Sequence, residues 1–344
     1  MNLRHKSCRL FCLAIIVYLS TLPTVSPSKS GKSITTVPEV TGQGPVVLWQ
    51  YPQDIGTRNL FYGPGGVAGQ PRGTLTFVKE DLEGSTPKLD VVDQDGKKWK
   101  LKMGIEARPE TVASRLVWGV GYFTDENYFV AAARIKELPR MRRGRKYIRP
   151  GGTIDNIRLK RTPDDAKKIG IWQWAHDPFS GTRELNGLRV LMALINNWDL
   201  KDVNNAILQV RGDEPEQIYL VSDLGASFGS IGLRWLRRSS KGNLNSYEHS
   251  KFIKQVTPED VSFYVPARPA IYHYFTRHEW KMREELRWIG RDIPRGDARW
   301  MGDLLGRLSH QQIEDAFRAA QYSDQEVARF SQVVEQRIAE LRGL

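Results

Sequence analysis

Ile195-Asn196-Asn197-Trp198-Asp199-Leu200-Lys201-Asp202-Val203-Asn204-Asn205, followed 24 residues after Asp199 by Asp223 in Val221-Ser222-Asp223-Leu224-Gly225, decides how this chain is read. Ahead of the stretch, Leu185 to Asn196 is apolar-rich at helical spacing. Behind it, Leu208 to Ser222 reads as a hairpin turning at Gly212-Asp213-Glu214-Pro215. Asp199 and Asn204 therefore fall in a loop between a helix and a strand, and Asp223 falls just past the hairpin. Asp, Asn and Gly also form ordinary turns. The weight of the pattern comes from the residues around it.

Phosphoryl transfer from ATP needs a carboxylate near the acceptor hydroxyl, and oxygen ligands that hold Mg²⁺ or Mn²⁺ against the phosphates. Asp199 suits the first role, as catalytic base or acceptor-orienting residue, and Asn204 and Asp223 suit the second. Upstream, Thr74 to Val78, Lys88 to Val92 and Lys98 to Lys102 read as three antiparallel strands, with Asp95-Gly96 at the second turn. Glu110 to Gly121 reads as a helix opened by Pro109, with Val112, Leu116, Val117 and Val120 on one face, and Tyr122 to Ile135 as a further strand. Lys102, ending the third strand, is the candidate ATP-phosphate contact, and Glu110 is the residue that would hold it. Lys100 points to the same strand face and is the alternative lysine; Glu106 is the alternative partner. Glu83-Gly84-Ser85-Thr86-Pro87-Lys88 joins the first two strands where a phosphate-covering loop would lie, which makes Ser85 and Thr86 candidate ATP contacts.

Asn197-Trp198-Asp199 through Asn204, with Ser222-Asp223-Leu224-Gly225-Ala226-Ser227-Phe228-Gly229 after it, resembles the atypical kinases: HipA-type kinases, type II phosphatidylinositol 4-kinases and secretory-pathway kinases. They carry Asn two residues before the catalytic Asp, and several follow the metal-binding Asp with Gly, a small residue and Phe. The resemblance implies an α+β, bilobal protein-kinase-like fold, with a small antiparallel β lobe bearing one helix and a mainly helical large lobe. It also implies a phosphotransferase dependent on ATP and a divalent metal, acting on a hydroxyl of a protein, sugar or lipid. Trp198 directly before Asp199, the single glycine of the 83–88 loop and the lack of an Ala-Pro-Glu ending depart from the usual pattern. They keep open an alternative, an exported pseudokinase or partner-binding module without turnover.

Arg4, Lys6 and Arg9 precede an apolar run from Leu10 to about Val25, so residues 1–28 read as a signal peptide or an N-terminal membrane anchor. The expected location is periplasmic or secreted, or anchored through residues 10–25. Cys8 and Cys12, the only cysteines, lie in this leader, so a processed chain holds no disulfide and no thiolate zinc site. Residues 29–45 read as a linker, 46–136 as the small lobe with an N-terminal extension, and 137–344 as the large lobe. The formal charge of +12 becomes +9 without the leader's Arg4, Lys6 and Arg9, which favours anionic partners. The densest basic run, Arg140 to Lys146, reads as a solvated loop, with a substrate-docking or phosphate-facing patch as the alternative. No nucleic-acid-binding motif accompanies the scattered basic residues, so a nucleotide and a hydroxyl-bearing acceptor are the expected partners of a monomer. Two capping boxes, Ser309 with Gln312 and Ser323 with Glu326, open the closing helices, the last presenting Val327, Phe330, Val334, Ile338 and Leu341 on one face.

Overall fold

The computed structural model describes residues 42–84, 86–230, 241–265, 274 and 277–344. The leader with its two cysteines, the linker up to residue 41, and Ser85 lie outside the described residues. Among the described residues, no helix is long and apolar enough to cross a membrane.

The chain runs through β1 (Val46–Val47), β2 (Leu75–Asp81), β3 (Lys88–Val92), β4 (Lys98–Met103), α1 (Ala107–Gly119) and β5 (Glu126–Lys136). β4 shows why this region is sheet. Trp99, Leu101 and Met103 alternate with Lys98, Lys100 and Lys102, which puts an apolar face on one side of the strand and a lysine face on the other, exposed at Lys98 and buried at Lys102. α1 begins three residues before the expected Glu110, because Pro109 sits within its first turn, where a missing N–H costs no helix bond.

The next elements include strands that the sequence pattern did not announce: β6 (Ile148–Arg149), β7 (Thr153–Arg161) and β8 (Ala166–Gly170). In β7 the left-handed Asn156 (φ 49°) switches which positions face inward, so Ile154 is buried before it and Ile157 and Leu159 after it. A strict two-residue alternation misses such a strand. β7 pairs antiparallel with both β4 and β5, while β2 pairs with β3 and, over a short parallel stretch, with β5. With β3 paired to β4, these five strands close a ring around Leu89, Val91, Trp99, Leu101, Ile157 and Leu159. The closing contact between β2 and β5 is short, Leu75 with Ile135 and Thr76 with Lys136. The ring continues to Arg161, so the expected boundary between residues 136 and 137 falls inside the sheet and does not divide the structure.

Beyond it come α2 (Arg183–Leu194), the hairpin β9 (Asn205–Val210) and β10 (Glu216–Val221), α3 (Leu244–Glu248), β11 (Ile253–Val256), β12 (Asp260–Phe263), α4 (Arg277–Glu285), β13 (Ile293–Pro294), α5 (Arg295–Leu305), α6 (His310–Arg318) and α7 (Asp324–Arg342). This half holds two further sheets, in the orders β1-β10-β9-β8 and β11-β12-β13, and is less helical than expected. The architecture is mixed α/β, and Val40–Leu344 group into one compact unit. α1 packs on β5 and β7 and on α6, so the helix bearing Glu110 touches both the ring and the helical part.

Both capping boxes form, with Ser309 and Ser323 accepting from Gln312 N–H and Glu326 N–H, and all five apolar residues foreseen on α7 are buried. Replacing Ser323 by Ala is expected to cost about 1 kcal/mol, read as a shift in the denaturant midpoint with an unchanged slope. A neutral substitution would mean that packing alone fixes the start of α7.

Candidate functional site

Lys102 stands at the end of β4 with only 3% of its surface exposed. Its Nζ lies 2.6 Å from Glu106 Oε2 and 3.1 Å from Glu110 Oε2, and it donates to Asp223 Oδ1. Burial opposes its charge, but the carboxylates of Glu110, Asp223 and Glu106 outweigh burial and push its pKa above the ordinary lysine value. Asp223 shows the converse. Burial pushes its carboxyl up, yet Lys102 more than offsets this and holds it below the usual carboxylate range. Both residues are therefore ionised at neutral pH.

Lys100 is engaged elsewhere, 2.7 Å from Asp81 Oδ2 and 2.9 Å from Asp90 Oδ1. Of the two candidate lysines, Lys102 is thus the one that reaches the glutamates, and it reaches both. Glu110, 2% exposed, also accepts from Arg158 Nη2 at 2.6 Å. Glu106 accepts from Thr86 Oγ1 at 3.1 Å and pairs with Lys241; burial raises its pKa, and Lys102 and Lys241 bring it back below the usual value.

Asp223 directly follows the β9–β10 hairpin in a left-handed conformation (φ 52°), one that Asp tolerates. The segment after it locks onto the loop bearing Asp199: Trp198 N–H donates to Ala226 O at 3.3 Å and Phe228 N–H to Ile195 O at 2.8 Å. Phe228 is itself left-handed (φ 52°), unusual for a bulky side chain, and its ring is held edge-on by Tyr247 and Phe317 at 5.3 and 5.4 Å. Gly225 has a steric reason to be glycine, since a Cβ there would meet Glu106 Cβ at 2.8 Å.

In the loop itself, Asp199 N–H donates to Asn197 Oδ1 at 3.0 Å and Asn204 Nδ2 donates to Asp199 O at 2.6 Å. Asn204 thereby ties the two ends of the loop together. The Asp199 carboxylate lies 3.1 Å from Arg283 Nη2 and 3.3 Å from Lys201 Nζ. Arg283, on α4, also donates to Trp198 O at 2.8 Å. It lies 84 residues from Asp199, and no local pattern marks it.

Thr86, Lys100, Lys102, Asn204 and Asp223 all line one cavity of about 260 Å³, together with Arg158, Lys160 and Lys168. Asp199 and Glu110 do not line it. Asp199 connects to it through Asn204, and Glu110 through Lys102 and Arg158. A second cavity of about 670 Å³ shares Lys100 and Lys160 with the first and is lined by Val78, Val92, Pro163 and Ala166. Arg158 and Lys160 are the residues that sequence reasoning overlooked, because β7 itself was not recognised.

No protein-family profile matches the sequence, and no curated protein matches it. Among solved structures the chain has a weak likeness to the Helicobacter pylori proinflammatory kinase CtkA, at 12% identity and a TM-score of 0.35, covering 78% of this chain and 99% of that one.

Proposed function

We propose that the protein is a bilobal, kinase-like phosphotransferase that moves the γ-phosphoryl group of ATP, with Mg²⁺ or Mn²⁺, to a hydroxyl acceptor. One observation carries this reading: Lys102 binds Glu110 of α1 and Asp223 of the post-hairpin segment at once, on the wall of a cation-lined cavity that also holds Asn204.

Lys102 would contact the phosphates with Glu110 fixing its position, and Thr86 would close over them. The larger neighbouring cavity, with Val78, Val92, Pro163 and Ala166 on its walls, is suited to the base, and Lys100 and Lys160 stand where the two cavities meet. Asp223 carboxylate and Asn204 Oδ1 are the hard oxygen donors that a small divalent cation takes. Among the described residues no three His, Cys, Asp or Glu side chains group to hold a metal alone, so these two donors would act jointly with phosphate oxygens. A metal bound there would neutralise charge developing on the phosphates. Asp199, steered by Arg283 and Lys201, would orient the acceptor hydroxyl and take its proton as the acceptor oxygen bonds to the γ-phosphorus and the bond to the β-phosphate oxygen breaks.

A second reading, nucleotide binding without turnover, draws on the ion pairs themselves: Lys102 is satisfied by three carboxylates, and Asp199 is held by two cations. The two readings separate in one experiment. ATP at a hundred times its dissociation constant, with Mg²⁺ or Mn²⁺, adds about 2.7 kcal/mol and raises the melting midpoint by several degrees. Asp199→Asn should keep that rise and lose transfer of labelled phosphate to acceptor proteins, sugars or lipids. A rise with no transfer by the wild type favours the non-catalytic reading, and no rise with any nucleotide removes both.

A further inference from the structure

The sheet face that bears Lys102 carries more positive charge than its ion pairs use. β4 and β7 pair so that Lys102 stands opposite Arg158 and Lys100 opposite Lys160. Like charges directly opposite destabilise a sheet. The compensating carboxylates, Asp81, Asp90, Glu110 and Asp125, sit off the cavity wall, so that six cations and only two carboxylates line the cavity itself. Two of the cations are left incompletely matched. Arg158 is 3% exposed, and among the described residues its Nε and Nη1 have no hydrogen-bond partner, a costly condition for a buried guanidinium. Lys168 of β8 makes no ion pair among the described residues. Burial and the neighbouring Lys160 both lower its pKa, as expected for a cation facing a cation.

We propose that Arg158 and Lys168 are phosphate contacts, and that with Lys160 they make this cavity a site for a linear triphosphate group. Such a group could be the tail of a nucleoside triphosphate or a free tripolyphosphate. The inference deepens the nucleotide reading above and rests on it for the identity of the donor. Three linked phosphates supply several negative charges along one chain, long enough to meet both incompletely matched cations, Arg158 and Lys168, with Lys160 beside them. Arg158 presents a planar fork to an anion, and Lys168, at the exposed rim, presents a mobile point charge.

The test measures binding of adenosine, ATP and inorganic tripolyphosphate, each with Mg²⁺, by calorimetry on the wild type and on Lys168→Gln and Lys167→Gln. Lys167 is exposed and precedes Lys168 on the strand, so it points to the opposite face. Lys168→Gln should weaken ATP and tripolyphosphate about tenfold, the worth of one charge-assisted hydrogen bond, and leave adenosine unchanged; Lys167→Gln should change nothing. Arg158→Lys, which keeps the charge and loses the fork, should weaken both anions in the same sense. ATP and tripolyphosphate binding to Lys168→Gln as they bind to the wild type would overturn the inference and leave the nucleotide reading intact. Tripolyphosphate binding that Lys168→Gln weakens, with no adenosine binding and no gain for ATP over tripolyphosphate, would uphold the inference and remove the nucleotide reading. A wild type that binds no tripolyphosphate overturns the inference.

Discussion

Asp223→Ala is expected to lower phosphoryl transfer by about a thousandfold and to abolish the Mg²⁺-dependent part of nucleotide binding. The side chain is the one carboxylate shared by Lys102 and the wall that holds Asn204, so its removal takes away the charged half of the oxygen donor set. The fold should tolerate the change. Asp223's side chain is 46% exposed, and Lys102 keeps Glu106 and Glu110 as partners, so no buried charge is stranded. Loss of transfer with a melting midpoint near that of the wild type would therefore mark a functional defect rather than a structural one. Transfer retained to within tenfold would reduce Asp223 to an ion-pair partner of Lys102 and remove it from the metal role.

The parts of the site that were legible in the sequence are those that depend on local spacing. The Asp199-to-Asn204 interval, the hairpin before Asp223 and the lysine ending the third strand are fixed by neighbours in the chain, and the structure brings Lys102, Glu110 and Asp223 together. What was not legible depends on contacts between distant segments. Arg283 reaches Asp199 from α4, and Arg158 reaches Glu110 from a strand whose alternation Asn156 interrupts. The choice between Glu106 and Glu110 was open for a related reason. They lie four residues apart at the start of one helix, where both can face the same lysine, and both do. Even the ring closure follows from β7, since without that strand the first three read as a simple meander with two exposed edges.

The same dependence on β7 makes loss of Glu110 costly to stability. Glu110→Gln is expected to destabilise the protein by roughly 3–5 kcal/mol, the usual penalty for breaking a buried ion pair from one side. The cost falls mainly on Arg158. Lys102 retains Glu106 and Asp223, whereas among the described residues Glu110 is the only carboxylate in an ion pair with Arg158, and Arg158 is already short of partners there at Nε and Nη1. An uncompensated guanidinium would then sit directly opposite Lys102 in the sheet, where repulsion adds to desolvation. Asp90→Asn is the matched comparison on the same face. Its side chain is 26% exposed, and its partner Lys100 keeps Asp81, so a change of about 1 kcal/mol or less is expected there. Equilibrium unfolding of both variants in urea measures the difference. Equal, small effects would show that water reaches the Glu110–Arg158 pair; a large loss confined to Glu110→Gln, partly recovered on adding tripolyphosphate, would show that Arg158 needs an anion and accepts one from the cavity.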